Sequence, residues 1–206
     1  MGLLKPAWVD VQPQGGSRDT HIDVTGGMEH TGRSQRSGVV VYEADGATDE
    51  SQTINQAGRA EFVTLSNVSV AKGGGNVTVQ GSSNSSKLTF TLGDGDIEVQ
   101  LPANYTAAGA STANGAAVAG DPGDTAAFDF AITLNIPANA TVSEQSRVVS
   151  ATANGGQVAT ATITQAAGDP TLSVTPSVIN LNNAGDVESA TVQTNTNWRI
   201  KVVPDA

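Results

Sequence analysis

The chain has 206 residues, 38% of them hydrophobic but only 4% aromatic, with 23 Gly, no Cys and a formal net charge of −10. Without Cys there are no disulfides, thiolate zinc sites or cysteine nucleophile. The acidic balance argues against nucleic acid or an anionic membrane as partner, because binding a polyanion needs Lys and Arg to displace counterions.

Any core must be built from Val, Ile, Leu and Ala. Val and Thr favour a pleated surface, and Gly and Asn favour turns. No long window places apolar residues at helical spacing, so the chain is expected to be all-β. Its length suits one or two domains, or several sandwiches of about 100 residues.

The opening run Met1-Gly2-Leu3-Leu4-Lys5-Pro6 lacks the charged-then-apolar pattern of a secretory signal. Pro6 stands where myristoylation expects Ser or Thr. No apolar run approaches membrane-spanning length. These features predict a protein assembled in the cytoplasm and kept there or released by lysis, with no membrane partner.

Residues 7–58 read as four strands. The first covers 7–12, with Val9 and Val11 on one face and Trp8 on the other. Pro13 and Gly15-Gly16 turn the chain. Further strands are expected at 20–25, at 38–43 through Val39-Val40-Val41-Tyr42, and at 51–56.

Residues 60–168 hold more. Strands are expected at 61–65, 68–70, 76–80, 87–92 and 96–101, with Gly93-Asp94-Gly95-Asp96 as a turn. Residues 106–125 read as a long Ala/Gly/Thr loop, of a length that is usually functional or mobile. Strands at 127–136, 147–153 and 157–165 complete the unit. Residues 170–206 give strands at 171–175, 178–181, 187–194 and 198–203.

Two phrases repeat. Thr53-Ile54-Asn55-Gln56-Ala57-Gly58 closes the first segment, and Thr162-Ile163-Thr164-Gln165-Ala166-Ala167-Gly168 closes the second. Val77-Thr78-Val79-Gln80 followed by Asn84 matches Ala190-Thr191-Val192-Gln193 followed by Asn195. Ile97-Glu98-Val99-Gln100 matches Val9-Asp10-Val11-Gln12. Arg147 precedes Gln165 by about the spacing that separates Arg36 from Gln56. A repeat of this kind precedes any argument about fold. It makes 60–168 one complete unit, 170–206 its first half and 1–58 its second half. Neither half buries its apolar face alone.

The run Asn195-Thr196-Asn197-Trp198, the strand from Trp8 to Val11, the Gly-rich turn, Arg33 to Arg36 before a Val-rich strand and the closing Ile-x-Gln-Ala-Gly resemble the BACON family. These are immunoglobulin-like β-sandwiches of gut Bacteroidetes and their phages. The resemblance covers most of the chain, split across its two ends. In 60–168 the pattern departs, with Ser85 or Ser86 about where the tail has Trp198 and with 106–125 as an extra loop. The resemblance implies tandem immunoglobulin-like sandwiches, one complete and two terminal half-domains that complement each other.

An odd strand count puts the ends of a sandwich at opposite poles, and a strand spans roughly 20 Å. The tail of one subunit is therefore expected to complete the head of the next, as in pilin strand complementation. Such a contact is heterologous and builds a ring or an open chain. Closure within one chain, as a circular permutation, and partly open ends are the alternatives. The expected seam comprises Trp8, Val9, Val11, Trp198, Ile200 and Val202.

Candidate sites each have a plainer reading. Trp8 and Trp198 could form a platform for a sugar ring, but as large apolar residues they suit the core or seam better. Asp94, Asp96, Asp121 and Asp124 are carboxylates of the kind Ca²⁺ prefers, yet Gly-Asp-Gly-Asp and Asp-Pro-Gly-Asp are also good turns. His21 and His30 are too few and too far apart for zinc and are read as loop or exposed-strand residues. Arg33 and Arg36 are expected to pair with local carboxylates. Three Asn-x-Ser/Thr sites, at Asn67, Asn76 and Asn104, are read as accidents of composition. No carboxylate pair or nucleophile stands in a catalytic context, so no catalytic, cofactor or metal residue is expected.

By resemblance, the chain is similar to auxiliary (decoration) capsid proteins of crAss-like phages. This implies a virion protein assembled in the host cytoplasm, with itself and major capsid or other virion proteins as partners. The alternative is a carbohydrate-binding or adhesion module on a virion or cell surface, with a glycan as ligand.

Overall fold

A computed structural model of the chain describes residues 5–185 and 187–201. The fold is all-β: the described residues form fourteen strands, with a single short 3₁₀ turn at Pro122–Asp124 as their only helical element.

The order of the first segment follows its turn signals. Strand β1 (Val9–Gln12) pairs antiparallel with β2 (Asp23–Gly26), and β3 (Arg36–Tyr42) with β4 (Glu50–Gln56). Each pair is a separate two-stranded sheet. Val9, Val11 and Val40 are buried between the pairs, with Trp8, Ile22, Val24, Tyr42 and Ile54 partly buried around them.

The central segment contains β5 (Val68–Val70), β6 (Gly75–Ser83), β7 (Leu88–Gly95), β8 (Asn104–Ala107), β9 (Ala110–Ala113), β10 (Phe128–Ile136), β11 (Gln145–Ala153) and β12 (Val158–Gln165). They form two four-stranded sheets, ordered β6-β10-β8-β9 and β5-β12-β11-β7. One core fills the space between them. The alternation of β10 shows why: Phe128, Phe130, Ile132, Leu134 and Ile136 are all buried while the residues between face outward. Phe90 sits at the centre, edge-to-face with Tyr105 at 4.8 Å and with Phe130 at 5.6 Å. Burial pushes the Tyr105 hydroxyl above the usual tyrosine range.

The last segment forms β13 (Leu172–Thr175) and β14 (Thr191–Thr194), one antiparallel pair.

Several expectations change. Residues 106–125 are not a loop: they carry the end of β8, all of β9 and the 3₁₀ turn. Small residues hid the hairpin, because Ala and Gly give no β signal. Gly93 and Gly95 lie within β7 rather than in a turn, and a bulge opposite them between Arg147 and Val149 absorbs the irregularity. Arg147 donates to the Ile97 and Gly93 carbonyls there. Residues 97–100 join no ladder, although Ile97 is buried. In 61–65 only Val63 bridges, to Ser83. Of the four strands expected after 170, two form. Residues 178–181 and 198–201 pair with no strand among the described residues, and Val202, an expected seam residue, lies outside the described residues.

Candidate assembly surfaces

The repeat is written in hydrogen bonds more clearly than in letters. The Gln56 amide donates to the Met28 carbonyl at 3.1 Å, and Gln165 to Pro137 at 2.7 Å. His30 donates to Ser34 O at 2.6 Å, and Asn139 to Ser143 O at 2.8 Å. The Arg59 N–H reaches Gly32 O at 2.8 Å, and the Gly168 N–H reaches Thr141 O at 2.7 Å. In every pair the two sets of residues stand at one constant offset, that of His30 from Asn139. The ladders agree, since Arg36 opposite Gln56 in β3–β4 corresponds to Gln145 opposite Gln165 in β11–β12. The counterpart of Arg36 is therefore Gln145 and not Arg147, which lies opposite Ile163.

The tail repeats the start of the central unit in the same way. Asn84 Oδ1 accepts from the Phe62 N–H at 2.9 Å, and Asn195 Oδ1 from the Thr171 N–H at 2.9 Å. Asn84 Nδ2 donates back to the Thr31 carbonyl at 3.2 Å, and Asn195 Nδ2 to Ala140 at 2.9 Å. Val63 opposite Ser83 corresponds to Leu172 opposite Thr194. Each Asn ties the start of one segment to an inner loop of the segment before it, β2–β3 or β10–β11.

The joint between residues 28–59 and the central sandwich has a second fastening. Arg33 forms a two-pronged ion pair with Asp121 and also donates to Asn84 O. The hydrogen bond to Asp121 holds the Arg33 guanidinium above its ordinary value. Ser34 donates to Asp124. At Gly32 backbone meets backbone across the joint, where an added Cβ would lie 2.4 Å from Thr125 C; Gly58 packs as closely within the head, 2.0 Å from Arg33 O, and Gly123 within the sandwich, 2.1 Å from Asn84 O. Only glycine permits so close an approach.

The other sequence candidates separate. Arg33 pairs with a carboxylate, though one distant in sequence. Arg36 pairs with none among the described residues: it donates to Gln56 and Met28 O and lies 4.6 Å over the Trp8 ring. His21 is exposed beside Asp23, and His30 lies in a loop, where it is buried. Its side chain does the work of an amide, as Asn139 shows, and that equivalence leaves no trace in the letters. Asp121 and Asp124 serve the joint, while Asp94 and Asp96 are exposed. Among the described residues no three His, Cys, Asp or Glu gather as metal ligands, and no helix is long and apolar enough to cross a membrane.

The seam residues divide. Val9 and Val11 are buried and Trp8 is half-buried, whereas Trp198 is 52% and Ile200 81% exposed. Val178, Ile179 and Leu181 are exposed as well. The head, for its part, is unfilled. A cleft of about 450 Å³ opens between its two hairpins, with Val11, Ile22, Val40 and Tyr42 in its wall beside Lys5, Arg18 and Glu43.

No known protein family matches the chain, and no curated protein matches it. Among solved structures it is similar to the endo-fucoidan hydrolase MfFcnA9 of glycoside hydrolase family 107, at 12% identity and a TM-score of 0.28. That match covers 80% of this chain and 27% of the other, so this chain spans about a quarter of the hydrolase's length. A likeness so slight carries no functional argument.

Proposed function

We propose that the protein is a structural joining element, an auxiliary (decoration) protein of a phage head that bridges neighbouring subunits by head-to-tail strand complementation. One observation carries the reading. The head has an unfilled cleft of mixed lining, with Val11, Ile22, Val40 and Tyr42 beside Lys5, Arg18 and Glu43, the tail has an uncovered apolar face, and hydrogen bonds of the central sandwich recur in both. Burying the tail residues removes apolar surface from water at roughly 25 cal/mol per Å², and exposed strands invite pairing with another chain. The phage-head assignment rests on the resemblance to BACON-like capsid proteins.

Two experiments test it. Light scattering of the full chain across a concentration series should give species larger than one chain mass; a strictly monomeric protein at every concentration would remove the joining role. Antibody labelling of intact phage particles should decorate the head; a label on the neck or fibres, or none, would remove the capsid assignment.

The half-exposed ring of Trp198 supports a second reading, a glycan-binding module. Trp8 adds nothing to such a platform, because Arg36 lies over its ring. Glycan-array binding abolished by Trp198→Ala would favour this second reading.

A further inference from the structure

Resting on the joining role, we infer that the tail of one copy donates three separate strands to a second copy, each to a defined edge. The central sandwich supplies the pattern. There β5 lies beside β12, β6 beside β10, and β7 beside β11. The counterparts of β12 and β11 are β4 and β3, whose outer edges are both open in the described chain. The counterpart of β10 is β2, whose edge away from β1 is likewise open.

The tail is divided along the same line. The pairing that needs only tail residues, β13 with β14, forms. The two stretches whose counterparts pair with β12 and β11, residues 178–181 and 198–201, remain single. The unpaired tail stretches are thus those whose partner edges lie in the head. The inferred sheets are 178–181, β4, β3, 198–201 on one side and β13, β14, β2, β1 on the other. They follow the two sheet orders of the central unit, except that β13 stands where only Val63 bridges Ser83 and that β9 has no counterpart.

The register follows from side-chain size. Trp198 and Ile200 are apolar and alternate, as do Leu88 and Phe90 in β7. In the centre Phe90 lies opposite Ala151. The counterpart of Ala151 is Tyr42, so Ile200 falls opposite Tyr42, the larger residue having changed sides. Trp198 then enters the cleft. Charge agrees with this placement: Arg199 and Lys201 alternate with the apolar pair, and the receiving hairpin ends in Glu43, Asp45, Asp49 and Glu50. Association should therefore weaken as salt rises.

The Cys-free chain gives a clean test. Tyr42→Cys and Ile200→Cys are made separately, mixed and oxidised. Neighbouring strand positions fit a disulfide, so a linked product of twice the chain mass should appear, and only when both variants are present. Gln56→Cys with Leu181→Cys should behave alike and guards against a variant that fails to fold. Gln52→Cys with Ile200→Cys should not link. If copies associate by light scattering but the Tyr42 and Gln56 pairs fail to link, or the Gln52 pair links instead, the strand assignment is overturned and the joining role stands. If Tyr42→Cys and Ile200→Cys placed in one chain link at single-chain mass, the partner is the same chain and the inference is overturned. If nothing associates, both fall.

Discussion

The central sandwich and the head contain the same strand pair in two different states. In β12, Ala161, Ile163 and Gln165 are fully buried; in β4, their counterparts Gln52, Ile54 and Gln56 run from exposed to half-buried. In β11, Val149, Ala151 and Ala153 are buried; in β3 only Val40 is, with Tyr42 half-buried. The backbone ladder is the same, so hydrogen bonding within the pair does not depend on completing the sandwich. Burial does. A two-stranded ribbon is marginal in water and needs a covered face for stability, so the head's stability should depend on whatever fills its cleft.

The largest test of this difference is a truncation in each core. Phe90→Ala should cost about 4 kcal/mol of unfolding free energy, the usual scale for a buried aromatic. Ile54→Ala should cost about 1 kcal/mol in dilute protein, because its site is half-open, and should rise towards the 2–5 kcal/mol of a core truncation as concentration drives copies together. Denaturant titration at two protein concentrations reads both. Equal costs at both positions would erase the distinction.

A smaller effect should come from the joints. Asn84 is buried and holds the Phe62 N–H and the Thr31 and Ala60 carbonyls. Asn84→Ala should cost about 3 kcal/mol, since the groups it leaves are cut off from water. Asn195 makes the equivalent bonds near solvent, so Asn195→Ala should cost under about 1 kcal/mol. The same titration compares them, and matching losses would mean the two joints are equally enclosed.

The smallest effect is confined to alkaline pH. Burial raises the Tyr105 hydroxyl in the folded state. Its stabilising contribution is complete below the unfolded tyrosine value of about 10 and is lost as pH rises through the higher folded value. Tyr105→Phe should remove that part of the alkaline loss while changing neutral stability by well under about 1 kcal/mol.

Much of this contrast was legible in the sequence. The alternation in β10 and the closing Gln phrase mark fold class and repeat, because burial on one face leaves a period of two. The hairpin of β8 and β9 was not legible, since most of its residues are Ala, Asn or Ser, which carry little strand preference. The joint was not legible either. Arg33 and Asp121 are brought together only by the tertiary fold, and Asn139 and His30 perform one task with different letters. The unpaired state of 178–181 and 198–201 was invisible for a simpler reason. Strand propensity is local, but a strand exists only where an edge receives it.

The glycine at the joint has a mechanical consequence. Where Gly32 lets the head's main chain rest on that of Thr125, and the Arg33 N–H bonds the Gly123 carbonyl, there is no side chain to swing or compress. A pull on the head therefore passes into the sandwich through peptide planes, with little slack to take up first. The same tightness makes the joint intolerant: one added methyl at Gly32 would act as a wedge, tilting the head rather than merely loosening it. In any lattice built from such units, a tilt repeated at each copy accumulates into curvature.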